Sequence, residues 1–354
     1  MKILVIGASG LVGSHCMRYL KEKEISVIGT HRNFEQIDTF YFDPLNKNCF
    51  DFLNINHFSP DVIIHCGALT HVDYCEDHQN DSFNQTVEST RRIVDYCTQN
   101  RIKLVYISTD YVFDGINGPY FESAEVNPIN VYGKHKLAAE ELVKKLEKYL
   151  IVRITNVYGE EARSKNFISS LVSLIKSNEE RILKLPFDQY ATPTYAGDIA
   201  KMIYMLLSEN KEGLYNLSST DYYNRYQLAK KIKSYFGSQN QLKLEPISTI
   251  NLNQKAIRPL NGGLVNVKFL NEFPDFEFTN VDKFIIKSLE NDFLTGTPDV
   301  VTEEKIIDIK TPYDIFSHAS VDEAKAIKAY KWQLAGYCYM TGKTRAELIY
   351  ALVN

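Results

Sequence analysis

Apolar, β-branched runs alternate with helical patterns over the first part of the chain, from residue 1 to about residue 156. The predicted strands are the runs KILVI, ISVIG, DVIIHCGA, KLVYIST and YLIVRIT. Between them, apolar residues recur at helical spacing, which predicts helices over residues 11–22, 83–99 and 129–148. This alternation predicts an α/β fold, a doubly wound parallel sheet with helices on both faces.

The pattern becomes less regular beyond residue 156, although it predicts helices near residues 165–178, 195–208 and 225–236. We expect a dinucleotide-binding domain over residues 1–156, to which residues 195–220 return, and a smaller substrate-binding lobe over residues 157–290. Residues 292–354 differ in character. They predict a third segment of α+β type, with a hairpin-like start and a helix from about Val321 to Thr341.

Composition limits the classes of function. The 354 residues are 44% hydrophobic, enough for two or three globular units, and a net charge of −4 favours neither nucleic acid nor an anionic membrane as a partner. The six cysteines form no C-x-x-C pair, which indicates a reduced, cytoplasmic setting. The apolar start is interrupted by glycines, and no run of about 18 apolar residues exists, so neither a signal peptide nor a membrane span is expected.

The segment VIGASGLVGSH places Gly7, Gly10 and Gly13 between a strand and a helix. Such glycines allow a tight turn, a close approach of the backbone to a pyrophosphate and close packing of the helix on the sheet, which predicts a dinucleotide site. The second strand ends in Thr30, His31 and Arg32, where an NAD site would usually carry an acidic residue. A hydroxyl and a cation suit a 2′-phosphate, so NADPH is favoured, with a solvated loop arginine as the alternative interpretation.

Tyr132 and Lys136 lie four residues apart on a helix for which the sequence predicts Asn127 as N-cap and Pro128 as first residue. A nearby ammonium stabilises a phenolate, so the pair could do acid–base chemistry. The same spacing recurs at Tyr19/Lys23, Tyr226/Lys230 and Tyr339/Lys343. Only the pair at 132 and 136 follows a strand ending in STDYVFDG, from which Thr109 can project a hydroxyl at the ligand-binding edge of the sheet.

Residues 1 to about 290 resemble an extended short-chain dehydrogenase/reductase of the dTDP-4-dehydrorhamnose reductase (sugar-nucleotide-binding) family. The resemblance rests on GASGLVG, PDVIIHCGALTHVDYCE, ISTDYVFDG, PYFE, NVYGKHKLAAE, IVRITNVYG, DQYATPTYAGDIA and RPLNGGL, in that order. It implies that NADPH delivers hydride to the 4-keto carbon of a nucleotide-activated deoxysugar. Tyr132 would then be the general acid, Lys136 would hold the nicotinamide ribose and tune Tyr132, and Thr109 would hydrogen-bond the carbonyl.

The resemblance also implies the residues that line the two ligand sites. Those for the cofactor are Gly7, Ser9, Gly10, Leu11, Val12, Gly13, Thr30, His31, Arg32, Asp43, Cys66, Gly67, Ala68, Tyr132 and Lys136. Those for the nucleotide-sugar substrate are His71, Val72, Asp73, Asp110, Asn156 and Arg258. Asn156 stands where the family usually has tryptophan, and Thr86 where it usually has asparagine, so the identity of the sugar stays open. Family members often dimerise, but no homodimer interface can be identified in the sequence.

The last part of the chain, with TGTPDVVTEEKIIDIKTPYDIF and a later WQLAGY helix, resembles the core of PD-(D/E)xK nucleases of the phage exonuclease type. By that resemblance Asp299 and Asp308 would hold Mg²⁺, Lys310 would orient the attacking water, and Gln333 and Tyr337 would face the same site. Only about half of such a domain is present, without an evident basic groove for DNA. Nuclease ancestry is therefore predicted more strongly than nuclease activity.

Three other functions stay open beside the reductase. They are epimerase or other redox chemistry on a sugar nucleotide, a regulatory subunit that binds NADP without turnover, and Mg²⁺-dependent exonuclease activity of the C-terminal segment. The histidines at 65, 71 and 78 match no standard spacing of metal ligands, so no metal is predicted there.

Overall fold

Seven parallel strands form the main sheet of this chain. The structure, a computed structural model, describes residues 1–50, 53–161, 165–236, 240–294, 300–301, 306–310 and 346–350. It divides into two compact units, Met1–Asp282 and Lys283–Asn354. Among the described helices, none has the length and apolar character needed to span a bilayer.

The strands of the first unit, in chain order, are β1 (Lys2–Ile6), β2 (Ser26–His31), β3 (Thr39–Tyr41), β4 (Val62–His65), β5 (Lys103–Thr109), β6 (Tyr149–Ile154), β7 (Val157–Tyr158), β8 (Arg181–Pro186), β9 (Tyr190–Ala191), β10 (Thr194–Tyr195), β11 (Gly213–Asn216), β12 (Tyr223–Asn224) and β13 (Leu242–Ile247). The main sheet has the order β11-β6-β5-β4-β1-β2-β3. All its neighbouring strands run parallel, which confirms the predicted doubly wound sheet.

The helices are α1 (Leu11–Glu22), α2 (Leu53–Phe58), α3 (Val72–Asp77), α4 (Gln79–Phe83), α5 (Ser89–Asn100), α6 (Val131–Val143), α7 (Phe167–Ser177), α8 (Ala196–Ser208), α9 (Arg225–Ser234), α10 (Val267–Glu272) and α11 (Val281–Leu294). A π-helical turn, Asn84–Glu88, joins α4 to α5, and 3-10 turns occupy Asp110–Val112 and Thr249–Leu252.

Successive residues of the central strands face opposite sides of the sheet, and both sides are covered. In β1, Ile3 and Val5 belong to a core with α1 and α8, whereas Leu4 and Ile6 belong to a second core with α5 and α6. This explains why the strands are continuously apolar in sequence, since a strand covered on both faces has no polar side. The same two layers of helices leave the carboxyl ends of the strands free to form a ligand site.

The segment after residue 156 contributes to the main sheet and to three smaller strand pairs. Helix α8 packs on α1, and β11 adds to the edge of the main sheet beside β6. The smaller pairs are β7 with β10, β9 with β12, and β8 with β13. Helices α7 and α9 pack against each other, and they carry residues of the cavity described below.

In the second unit, β14 (Val300–Val301) runs antiparallel to β15 (Ile306–Lys310), and β15 runs parallel to β16 (Ala346–Tyr350). Asp308 and Lys310 lie two residues apart on β15 and therefore on the same face of that strand. Asp299, Gln333, Tyr337 and the helix predicted from Val321 to Thr341 lie outside the described residues. The nuclease-like metal site stays a prediction.

Candidate active site

The glycines after β1 form a tight cradle at the carboxyl end of the sheet. A Cβ on Gly7, whose φ is +81°, would lie 2.8 Å from the backbone nitrogen of Gly67, and a Cβ on Gly13 would lie 2.3 Å from the carbonyl oxygen of Gly7. Helix α1 begins directly after Gly10, and no described side chain caps its first amide groups. Those amides and the positive end of the helix fit a pyrophosphate, so the residues present suit a dinucleotide.

The end of β2 lies beside this cradle. The Oγ1 atom of Thr30 accepts a hydrogen bond from the amide of Gly7 at 3.2 Å. The Arg32 guanidinium lies 3.3 Å from a carboxylate oxygen of Asp43, and both side chains are partly exposed. Of these residues, Thr30 and Arg32 line a cavity at this edge of the sheet, whereas Asp43 does not. Arg32 is thus held at the cavity wall by Asp43, with donor groups left for an anion.

Thr109, Tyr132 and Lys136 come together at the centre of the same cavity. Thr109 ends β5, and Tyr132 and Lys136 lie on one face of α6, one turn apart. The predicted cap of α6 was wrong. Asn130 caps the helix by accepting a hydrogen bond from the amide of Gly133 at 2.8 Å, and Asn127 lies upstream of the cap. Asn130 is selected because its backbone is extended and its amide group also donates to a carbonyl of the loop that packs on it.

Burial dominates the electrostatics of the pair. It raises the pKa of Tyr132 well above its usual range, against the effect of a hydrogen bond with Thr109. Burial also lowers the pKa of Lys136 to about 7, although the Glu140 and Cys66 charges act in the opposite direction. Tyr132 therefore stays protonated at neutral pH, which suits a proton donor, because burial outweighs the stabilisation of a phenolate that the sequence predicted from Lys136.

Backbone and aromatic contacts fix the position of Lys136. Its Nζ donates a hydrogen bond to the carbonyl oxygen of Ile107 at 2.6 Å and lies 4.1 Å from the centre of the Tyr106 ring. The Tyr132 ring packs edge-on against Tyr111 at 5.7 Å. Such contacts hold both functional groups in place before a ligand binds, which limits the reorganisation that catalysis would need.

The cavity has a volume of about 730 Å³. It brings together most of the residues expected to bind ligands: Gly7, Ser9, Gly10, Leu11, Val12, Gly13, Thr30, His31, Arg32, Cys66, Gly67, Ala68, Val72, Thr109, Asp110, Tyr132, Lys136 and Asn156. Four expected residues do not line it: Asp43, His71, Asp73 and Arg258. In the described part of the chain, no three His, Cys, Asp or Glu side chains are grouped so that they could hold a metal ion.

Local bonds explain why three of these four residues lie outside the cavity. His71 caps α3, since its Nδ1 accepts a hydrogen bond from the amide of Tyr74 at 3.0 Å. Asp73 and Arg258 form an ion pair at 2.9 Å, and Asp73 also accepts from the amide of Ala256. These groups join α3 to the loop near residue 257, so their charges are used within the protein.

Asp110 lies on the cavity wall but is tied into the structure. Its Oδ2 accepts hydrogen bonds from the Thr155 hydroxyl at 2.6 Å and from the amide of Gly263 at 3.2 Å. Burial raises its pKa. Asp110 thereby connects the ends of β5 and β6 to the loop at Gly263, and this holds the neighbouring Thr109 in place.

Several cavity residues were missed in the sequence. They include Tyr111, Glu161, Lys165, Asn166, Phe167 and Arg225. Arg225 is the first residue of α9, which starts with a capping box formed by Asn224 and Gln227. That N-x-x-Q pattern could have located the start of the helix, but only the tertiary structure shows that this start reaches the cavity.

The first 283 residues match the family model described as the RmlD substrate binding domain. Two curated relatives show the range of the family. A dTDP-4-dehydrorhamnose reductase from Aggregatibacter actinomycetemcomitans is 29% identical over 284 residues, which cover 77% of this chain and 93% of the relative. Methionine adenosyltransferase 2 subunit beta from Danio rerio is 28% identical over 271 residues, which cover 74% of this chain and 82% of the relative.

A crystal structure of dTDP-4-dehydrorhamnose reductase from Bacillus anthracis in complex with NADP is also similar. It superposes with a TM-score of 0.72 at 28% identity, covering 82% of this chain and all of the other. The similarity thus extends over the region that contains the glycine cradle, Thr109, Tyr132 and Lys136.

Proposed function

The chain belongs to the RmlD substrate binding domain family, and we propose that it is an NADPH-dependent reductase of the 4-keto group of a dTDP-activated deoxysugar. The family predicted from the sequence motifs is confirmed by the match over residues 1–283. The reaction proposed here is the one named for the similar reductases from A. actinomycetemcomitans and B. anthracis.

One observation carries the proposal. A single cavity contains a glycine cradle that suits a pyrophosphate and, beside it, a buried tyrosine, lysine and threonine that suit the reduction of a carbonyl. NADPH, when bound, supplies the hydride. The cradle of Gly7, Gly10 and Gly13 with the start of α1 would hold its pyrophosphate, and Arg32 would bind its 2′-phosphate.

The residues of the chain supply the proton and the orientation. As the carbonyl carbon is reduced, the oxygen becomes negative and needs a proton donor and fixed hydrogen bonds. The Tyr132 hydroxyl donates the proton and is held protonated by burial. The Thr109 hydroxyl would donate a second hydrogen bond to the same oxygen, and Lys136, fixed by the carbonyl of Ile107, would hold the nicotinamide ribose.

The sequence left open a second role, a regulatory subunit that binds NADP without turnover, and one similar protein is named as a subunit of methionine adenosyltransferase. Thr109, Tyr132 and Lys136 together in one cavity favour the reductase over this role. Further parts of the proposal are a homodimeric assembly and a cytoplasmic location. The free thiols at Cys16, Cys49, Cys66, Cys75 and Cys97 fit that location.

The proposal is tested by following the absorbance of NADPH with the full chain and a dTDP-4-keto-6-deoxyhexose. We expect one NADPH to be oxidised for each sugar reduced, with conversion of the keto group to an alcohol confirmed by mass spectrometry. The reductase would be rejected, and the regulatory role favoured, if the chain binds NADPH but oxidises it with none of the 4-keto-6-deoxyhexoses tested, whatever the configuration of the sugar and the nucleotide attached to it.

A further inference from the structure

Arg225 lies where three elements meet at the cavity. It begins α9, and its guanidinium contacts Asn156, between β6 and β7, and Phe167, the first residue of α7. The Nη2 atom donates a hydrogen bond to the side-chain oxygen of Asn156 at 2.7 Å, and the guanidinium carbon lies 4.6 Å from the centre of the Phe167 ring. Arg225, Asn156 and Phe167 all line the cavity. The Arg225 guanidinium is thus held by two contacts, and Arg225 lies at the cavity wall.

The charge of Arg225 has no carboxylate partner among the described residues, and Asn156 is the one hydrogen-bond acceptor the structure gives it there. Arg258 is different, because its guanidinium is neutralised by Asp73 at 2.9 Å and lies outside the cavity lining. Burial lowers the pKa of Arg225, although the nearby Tyr111 and Asp110 side chains act in the opposite direction, so desolvation outweighs the favourable charges around it. A partly desolvated cation of this kind gains most from an anion that binds beside it.

The geometry of the guanidinium indicates what it binds. The guanidinium carbon lies over the Phe167 ring, and one N–H group is used by Asn156, so the guanidinium has further N–H groups for a ligand. Two parallel N–H donors match two oxygens of a carboxylate or a phosphate. Asn156 also has a left-handed backbone, with φ of 41°, and its bond to Arg225 fixes the side chain in that conformation.

We propose that Arg225, oriented by Asn156 and Phe167, binds an anionic group of the nucleotide-sugar substrate and so determines which substrate is accepted. The anionic oxygens come from one of two sources, the diphosphate of the nucleotide or a carboxylate on the sugar. This inference rests on the proposed function for the class of ligand. At position 156, the family usually has a tryptophan; here Asn156 and Arg225 would form a cationic subsite in place of that aromatic surface.

The test measures binding rather than turnover. The full chain, loaded with NADP⁺, is titrated in a calorimeter with dTDP, with a dTDP-hexose and with the matching dTDP-hexuronate. The variants are Arg225→Gln and, as a control, Arg181→Gln on the exposed start of β8. Loss of hydrogen bonds to a charged group predicts that Arg225→Gln weakens the affected complexes about 10- to 100-fold. We expect Arg181→Gln to change none of them, and the affinity for NADPH to be unchanged in both variants.

The pattern of loss identifies the source. Equal weakening for all three ligands assigns Arg225 to the diphosphate, whereas weakening for the hexuronate alone assigns it to a sugar carboxylate. The inference would be overturned if Arg225→Gln protein has the melting temperature of the wild type and binds each of the three ligands as tightly as the wild type does. If wild-type protein binds these ligands but oxidises no NADPH, the proposed reductase fails, and the inference is then decided by the Arg225→Gln titrations alone.

A second measurement needs no variant. Phenylglyoxal modifies accessible arginines, and mass spectrometry can follow its addition to Arg225 in the wild-type chain. The bound anion is expected to slow this modification selectively, while that of exposed Arg181 continues at the same rate. A rate at Arg225 that none of the three ligands changes would contradict the inference even if Arg225→Gln did not fold.

Discussion

Arg153 and Glu140 form a bidentate ion pair, with Nε 2.9 Å from Oε1 and Nη2 2.7 Å from Oε2. Their side chains are 2% and 0% exposed. Ser108 donates a further hydrogen bond to Glu140, at 2.5 Å. Glu140 lies one helical turn after Lys136 and raises its pKa against the effect of burial. The ion pair thus joins α6, the helix that carries Tyr132 and Lys136, to β6 of the main sheet.

Replacing Glu140 by alanine should strongly destabilise the first unit, because the Arg153 guanidinium would stay buried without its counter-charge. Breaking a buried ion pair on one side typically costs about 3–5 kcal/mol. Urea unfolding followed by circular dichroism measures the loss. Glu141→Ala is the matched control, since Glu141 pairs with Lys144 at the surface, and should cost less than about 1 kcal/mol. Similar stabilities for the two variants would show that the Arg153 guanidinium can stay in place without Glu140 at no large cost, contrary to this prediction.

Replacing Tyr132 by phenylalanine removes the proposed proton donor and leaves the ring that packs on Tyr111. General acid catalysis contributes about 10²- to 10⁴-fold, so kcat should fall by about that factor with the affinity for NADPH unchanged. Steady-state oxidation of NADPH and a fluorescence titration measure the two quantities. Tyr226→Phe is the control, because Tyr226 has the same spacing to Lys230 on α9 but lies outside the cavity lining. Full turnover by Tyr132→Phe would rule out its role as the acid.

Local sequence signals sufficed where the structure depends on neighbours along the chain. Gly7 and Gly13 were predicted because a dinucleotide-binding turn between a strand and a helix needs a tight bend and close packing of the helix, and a Cβ on Gly13 would lie 2.3 Å from the carbonyl oxygen of Gly7. The apolar runs gave the sheet, since strands covered on both faces are apolar throughout. The spacing of Tyr132 and Lys136 predicted a shared helix face in the same way.

Sequence reasoning failed where long-range contacts decide the role of a side chain. Asp73 and Arg258 are 185 positions apart, and nothing local shows that they neutralise each other. Arg225 was missed for the same reason, because its contact with Asn156 depends on how α9 packs near the end of β6. The pKa of Tyr132 also depends on burial in the folded chain, which the spacing to Lys136 does not reveal.

Arg32 should determine the preference for NADPH over NADH. It lies at the cavity wall and is held by Asp43 at 3.3 Å, so its free donors can bind a 2′-phosphate. Arg32→Gln should weaken NADPH about 10- to 100-fold, as expected for hydrogen bonds to a charged group, and leave NADH almost unchanged. Fluorescence titrations with both cofactors measure the ratio. The control is Arg91→Gln, because Arg91 lies exposed on α5 and pairs with Glu88 of the preceding π-helical turn. Equal weakening of both cofactors would mean that Arg32 contacts something other than the 2′-phosphate.

The part of the second unit that follows Asn291 should be dispensable for the reductase. The cavity residues lie between Ile6 and Leu228, and the family match ends at residue 283. A chain that ends at Asn291 should therefore keep the kcat and KM of the full chain, within about twofold, when NADPH oxidation is compared at equal concentrations of folded protein. Loss of turnover on truncation, in protein that still binds NADPH, would show that the segment containing KIIDIK belongs to the working enzyme.

The nuclease-like segment can be tested in the same preparations. Asp308 and Lys310 share a face of β15, which is the arrangement expected from the resemblance to PD-(D/E)xK nucleases, but the residues upstream of this segment match the RmlD substrate binding domain up to residue 283. We therefore expect no Mg²⁺-dependent degradation of linear DNA by the full chain. If DNA is degraded, the activity must disappear in Asp308→Ala and persist in Tyr132→Phe before it can be assigned to this segment. That result would make the chain bifunctional, because the reductase site is built from residues of the first unit alone.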